Sequence, residues 1–168
     1  MTQGRINSKI REQVFLNQER GDRTSFYGDP WGRYGEHVSS YEKTFLEVLN
    51  GSTIYDFLKD RRFPVVIDLM GPSETVATLF ERFPDKPKLG LAVSLDDLRS
   101  DEERKRDAIL NVIQIAGDIM KSSTWRQIKA KLQGHKADLI MERAYVGFNC
   151  IPESSRLYAM LLSKAWNL

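Results

Sequence analysis

Acidic residues recur where short apolar runs end. Asp68 closes "VVID", Asp96 and Asp97 follow "LGLAVSL", Asp118 follows "VIQIAG", and Glu142 follows "DLIM". An ionised carboxylate only accepts hydrogen bonds, and it takes paired hydroxyls or an amine especially well. Vicinal ribose hydroxyls and the exocyclic amine of adenine are donors of that kind. The first acid leads into "DLMGPSE", where Gly71 lets backbone come close to a ligand. The free N–H groups that open the following helix favour an anionic ligand end.

For these acids to act together, the runs that carry them must be strands of one sheet. "PVVIDL", "KLGLAVSL", "AILNVIQI" and "ADLIMER" are β-rich or continuously apolar, as expected of strands buried on both faces of a parallel sheet. Helical patterns separate them. Val76, Leu79, Phe80 and Phe83 form the buried stripe of a helix from Ser73 through Phe83. "SDEERKRD" opens with Ser100 and Glu103 at capping-box spacing, and a third helix is expected from Ser123 to Leu132. The last, "PESSRLYAMLLSKAWN", has Pro152 at its first turn and Leu157, Leu161 and Ala165 on one face. Such alternation predicts right-handed crossovers and an α/β, Rossmann-like, doubly wound parallel sheet. In that architecture ligands collect beyond the carboxyl ends of the strands, at the switch point.

Upstream, "INSKIREQVFLNQER" and "EHVSSYEKTFLEVLNG" read as amphipathic helices on either side of the aromatic, glycine-rich "GDRTSFYGDPWGRYGEH". Ser52 is the expected cap of a short helical turn through "TIYDFLKD". The chain therefore divides into an N-terminal helical or lid segment, 1–62, and a core, 63–168. Its 168 residues and 41% hydrophobic content suit an ordinary core, and a formal charge of +2 gives no bulk electrostatic case for nucleic acid or an anionic membrane. Cys150 is the sole cysteine, which rules out an internal disulfide framework. It reads as a small buried hydrophobe. His37 and His135 lack partners at metal-ligand spacing, so no metal is expected. The opening residues have no signal-peptide core and no run is long enough to span a bilayer, so a cytoplasmic location is expected.

The acid that ends the first strand before a glycine turn, with further acids after strands two and three, resembles class I S-adenosylmethionine-dependent methyltransferases over about residues 63 to 166. The resemblance implies that Asp68, Met70, Gly71 and Ser73 surround the methionine part of the cofactor. It further implies that Asp96 accepts from the ribose hydroxyls, that Asp118 and Ile119 flank the adenine, and that Glu142, where the loop at the substrate end begins, is also a cofactor-binding residue. The N-terminal segment would act as a lid, with Tyr34 and His37 at the acceptor pocket and His37 as a base. Tyr145 would line that pocket from the loop "ERAYVGFNCIP". The competing reading makes these aromatics plugs of the core. The loop lacks the Asn/Asp-Pro-Pro-aromatic signature common in amino-group methyltransferases.

Where the family commonly has glycines, this chain has Pro72 and Glu74. Pro72 removes a donor, and Glu74 puts an acid near the place a ligand carboxylate would take. Equally, Ser73 is a good N-cap and Glu74 suits the first turn of a helix. The turn is thus either a variant cofactor site or a strand-to-helix joint that has lost binding. The resemblance also implies three further strands, so the core reads as incomplete at its C-terminus, or as completed by a second copy or another chain at the edge of the fourth strand. The expected function is S-adenosylmethionine-dependent methyl transfer to a small-molecule acceptor. The alternative is a non-catalytic domain of the same fold that serves as an interaction or subunit domain. A dinucleotide-dependent enzyme is disfavoured because no Gly-x-Gly-x-x-Gly follows any strand.

Overall fold

The structure is a computed structural model that describes residues 51–69, 71–142 and 155–168, without the side chains of 142 and 155–158. The two upstream helices, the aromatic loop with Tyr34 and His37, Met70, and the loop with Tyr145 lie outside the described residues.

Helix α1 (Ile54–Lys59) begins at Thr53, not at Ser52. Thr53 and Asp56 form the capping box: Asp56 N–H donates to Thr53 Oγ1 at 3.0 Å, and Thr53 N–H donates to Asp56 Oδ2 at 3.2 Å. The Lys59 ammonium bonded to Asp56 holds that carboxyl down at about 2. Strand β1 (Val65–Leu69) is buried along its whole length, as its continuous apolar sequence requires. Helix α2 (Glu74–Glu81), strand β2 (Leu89–Ser94), helix α3 (Asp101–Leu110), strand β3 (Val112–Ala116), helix α4 (Ser122–Leu132), strand β4 (Leu139–Glu142) and helix α5 (Ser155–Trp166) follow in strict alternation.

Helix α2 is shorter than the expected 73–83, and a strand boundary also differs from the sequence reading. Ala108, Ile109 and Leu110 belong to α3, not to the third strand. Asn111 ends the helix in the left-handed region, with φ 54° and ψ 47°, and its side chain donates to Lys88 O at 2.5 Å. The apolar run "AILNVIQI" is therefore the last turn of a helix and the start of a strand joined at one left-handed residue. Ile109, 84% exposed, faces water within it.

Among the described residues the sheet has four strands in the order β3-β2-β1-β4, all parallel. One face packs Ile67, Leu91, Val93 and Ile115 against Trp125, Ile128 and Leu132 of α4 and Leu161 of α5. The other packs Val66, Val112 and Met141 against α1, α2 and Leu110 of α3. The chain steps from β1 outward to β3 with its helices on one face. It then returns to β4, on the far side of β1, with α4 on the opposite face. Reversing both direction and face keeps the crossovers of one hand, and this is the doubly wound, Rossmann-like arrangement.

Gly90 sits where α2 crosses β2. A Cβ there would come within 2.6 Å of Val76 Cγ1 and 3.0 Å of the Phe80 ring. Filling such a contact forces strain into a packed core. Gly90→Ala is expected to lower unfolding stability by about 1–3 kcal/mol, read from chemical denaturation. An unchanged midpoint would mean that α2 does not lie this close to the sheet.

Candidate functional site

The topology brings the carboxyl ends of all four strands to one edge and puts the switch point between β1 and β4. Leu69 pairs with Glu142, so the backbone of Glu142 lies beside the start of the glycine turn. Asp68, Asp96, Asp118 and Glu142 therefore sit at one end of the sheet, as their spacing implied. Their local surroundings differ.

Asp68 is fully buried, with 0% exposure. Its carboxylate lies under Gly71: a Cβ built on Gly71 would fall 2.3 Å from Oδ2. A side chain at Gly71 is thus excluded by Asp68 itself, a reason for glycine that needs no ligand. Ser73 stands at the N-cap position of α2, as read from the sequence, and is buried, but its side chain makes no cap hydrogen bond. The first helical bond of α2 runs from Ala77 N to Ser73 O at 2.8 Å. Glu74 is 7% exposed and forms a bidentate pair with Arg106 of α3. Arg106 Nη1 donates to Oε1 at 2.9 Å and Nη2 donates to Oε2, while Thr78 Oγ1 donates to Oε1 at 3.2 Å. Glu74, which the sequence placed beside a ligand carboxylate, is turned toward α3 and neutralised there.

At the end of β2 the two aspartates divide. Asp96 is exposed, and its carbonyl accepts from Ser94 Oγ at 2.6 Å. Asp97 is held by Arg99: Nε and Nη2 donate to its two oxygens at 2.9 Å each. Arg99 Nη1 also donates to Asp107 Oδ2 at 2.9 Å, and Asp107 is fully buried. Arg106 Nη2 lies 3.7 Å from Asp107 Oδ1, so Glu74, Arg106, Asp107, Arg99 and Asp97 form one chain of alternating charge.

After β3, Gly117 N–H donates to Ser94 O at 2.7 Å, and a Cβ on Gly117 would strike Thr124 Oγ1 at 2.7 Å. The Asp118 carboxylate accepts from Met120 N at 2.8 Å, and its carbonyl accepts from Thr124 Oγ1 at 2.7 Å. This local turn sets the start of α4. Ile119 is buried in the core, and its carbonyl accepts from Trp125 Nε1 at 2.6 Å.

Sequence reasoning missed Arg99, Arg106 and Asp107. It read "SDEERKRD" only for its capping box, although Asp107 stands three residues before the buried Leu110 and so shares its side of the helix. That spacing was the signal. Among the described residues no group of histidine, cysteine or acids is arranged to hold a metal, and no helix is long and apolar enough to cross a membrane. An open crevice of ≈ 370 Å³ lined by Phe63, Asp85, Lys86, Lys88 and Asn111 lies at the amino ends of the strands. It is at the opposite end of the sheet from the acids. The chain matches no protein-family model and no curated protein.

The Arg99 guanidinium holds the Asp97 carboxyl down at about 2. A depressed folded pKa contributes stability that is fully present above the unfolded value of about 3.9 and is lost as pH falls through the folded value. The protein is expected to lose on the order of 2 kcal/mol between pH about 4 and pH about 2 from this group. Asp97→Asn should flatten that part of a stability–pH profile measured by urea denaturation. A profile unchanged by the substitution contradicts the pairing.

Proposed function

We propose that this chain is an S-adenosylmethionine-dependent methyltransferase domain acting on a small-molecule acceptor. The observation that carries the reading is the convergence of the β1–α2 turn, Asp96, Asp118 and Glu142 at one edge of a β3-β2-β1-β4 parallel sheet. The exposed Asp96 suits the two ribose hydroxyls. Asp118 accepts from Met120 N through Oδ1, which orients a carboxylate of the kind that can accept from an amine. The opening of α2 has no side-chain cap and its acid is neutralised by Arg106, which suits a ligand carboxylate.

When bound, the cofactor supplies an electrophilic methyl group on a sulfonium. The work left to the protein is binding, alignment of the acceptor with that methyl, and exclusion of water. Asp68 supports the turn from below. Tyr34, His37 and Tyr145 are the acceptor-side candidates.

A second reading is favoured by one set of contacts. Asp68 occupies the space above which Gly71 folds, Ile119 belongs to the core, and Asp97 and Glu74 are bound to arginines. A domain whose site chemistry is turned inward in this way keeps the fold and acts through its surface.

Calorimetry of the folded full chain with S-adenosylmethionine and S-adenosylhomocysteine separates the two. The methyltransferase reading expects both to bind and Asp96→Ala to weaken each about tenfold or more, the loss of a charge-assisted hydrogen bond. Because Asp96 is exposed, its thermal midpoint should stay within a degree or two of the parent. Absence of heat with either ligand eliminates the cofactor reading and leaves the interaction domain.

A further inference from the structure

The net charge of +2 conceals an uneven distribution over the two faces of the sheet. Helices α2 and α3 hold six acids against three bases, whereas α4 and α5 hold five bases and no acid. Arg126, Lys129 and Lys131 of α4 are exposed, because Trp125, Ile128 and Leu132 take the sheet side. Among the described residues none of the three is ion-paired. The acids that bracket α4 in the chain are engaged elsewhere: Asp118 accepts from Met120 N, and Asp138 pairs with Arg61 at 3.5 Å. Helix α5 lies beside α4. Lys164 Nζ stands 5.5 Å from the centre of the Trp125 ring, and Ala137 N–H donates to Leu168 O at 3.2 Å, which holds the exposed Lys136 next to the end of α5. With Leu161 buried against the sheet, Leu162 and Trp166 face outward one turn apart, 58% and 91% exposed. An uncharged ridge of leucine and tryptophan therefore rises from a basic layer.

We propose that the outer face of α4 and α5 docks on an anionic lipid surface, with Arg126, Lys129, Lys131 and Lys136 against the headgroup phosphates and Leu162 and Trp166 inserted between the headgroups. Cations beside an aliphatic and an indole side chain supply both parts of an interfacial contact: attraction to the charged surface, and apolar area that enters the acyl boundary. An indole joins an apolar ring to one N–H donor, which suits the headgroup level. The contact is interfacial and needs no spanning helix. A second copy is a poor occupant, because a two-fold contact across this face brings two basic layers together with no acid between them. Single-stranded nucleic acid is held by successive stacking aromatics along a groove. Here one exposed indole stands with a leucine on a convex helix. The inference does not depend on the cofactor reading, since this face is made by the outer sides of two helices and the acids of the proposed site stand at the carboxyl ends of the strands.

The test is co-sedimentation of the full chain with vesicles of phosphatidylcholine alone and with vesicles that also hold about 30% phosphatidylserine, at about 0.1 M and about 0.5 M salt. The protein should bind the anionic vesicles at the lower salt, lose most of that binding at the higher, and show none with the neutral vesicles. Lys129→Gln should weaken binding about fivefold, and Arg126→Gln, Lys129→Gln and Lys131→Gln combined about a hundredfold, the loss of one and of three surface attractions. Lys105→Gln makes the same charge change on the opposite face of the sheet and should leave binding within about twofold. Trp166→Ala should weaken it about tenfold or more while the salt dependence persists. All five side chains are exposed, so the variants keep the fold. The proposal is overturned by absence of binding to the anionic vesicles, by equal binding to the neutral ones, by equal losses in Lys105→Gln and Lys129→Gln, or by a Trp166→Ala protein that binds like the parent. Tighter binding to a single-stranded oligonucleotide than to the vesicles also overturns it and makes this a nucleic-acid face. No arm contains S-adenosylmethionine, so failure here leaves the cofactor reading standing.

Discussion

A carboxylate removed from water needs a cation or hydrogen-bond donors, and at the carboxyl end of this sheet that requirement organises the packing of α2 against α3. Glu74 opens α2, Asp107 is fully buried on α3, and both are met by arginines of the segment that follows β2. The chain of charge ends at Asp97, which Arg99 holds by both oxygens. Because Arg99 serves two acids and Arg106 three, α3 is fixed in rotation. Asp107 and Leu110 face inward together, and Ile109 faces out. Hydrophobic burial alone would not impose this rotation, since α3 has only Leu110 as a buried apolar residue.

The opposite edge of the sheet solves the complementary problem, carbonyl oxygens left by turns, with cations and amides. Lys86 Nζ donates to Arg61 O at 2.9 Å and to Lys59 O, and Lys88 Nζ donates to Phe83 O at 2.5 Å. Lys88 is nearly inaccessible, and burial pushes its ammonium pKa down. Asn111 donates to the carbonyl of Lys88 itself, and Asp138 takes the first N–H of β1 at 2.9 Å. The two edges are therefore chemically distinct. The amino edge spends its polar side chains on backbone, whereas the carboxyl edge gathers acids around the switch point.

The architecture was legible in the sequence because it depends on period and burial. The run "VVIDL" is apolar enough to be a central strand, and it is. Ser100 and Glu103 matched a capping box, and both of its hydrogen bonds form. Two local choices went the other way. Thr53, not Ser52, caps α1, because Asp56 stands three residues after it and closes the box. "AILNVIQI" has no period that separates its three helical from its four extended residues, so the break at Asn111 is decided by a left-handed backbone and a bond to Lys88. The candidate site was legible in place but not in detail. Strand ends can be counted in a sequence, yet which of two adjacent aspartates faces solvent depends on Arg99, and where Glu74 points depends on Arg106, thirty-two residues away.

Those pairings change how the departure at Pro72 and Glu74 is weighed. Read as letters, the turn has lost glycines and gained a repelling acid. In three dimensions the acid is cancelled by a cation from α3, and Ser73 does not spend its hydroxyl on the first N–H groups of α2. Pro72 still removes one donor. The net change from a glycine-rich turn is then one backbone N–H rather than one N–H plus one negative charge, and a charge outweighs a single neutral donor where water is excluded. Replacing Glu74 by glycine to mimic the usual turn is accordingly a poor probe of the site. It would take from the partly exposed Arg106 its principal partner, leaving Asp107 and Glu81 beside it, and the cost of the lost pair would be mistaken for a property of the turn.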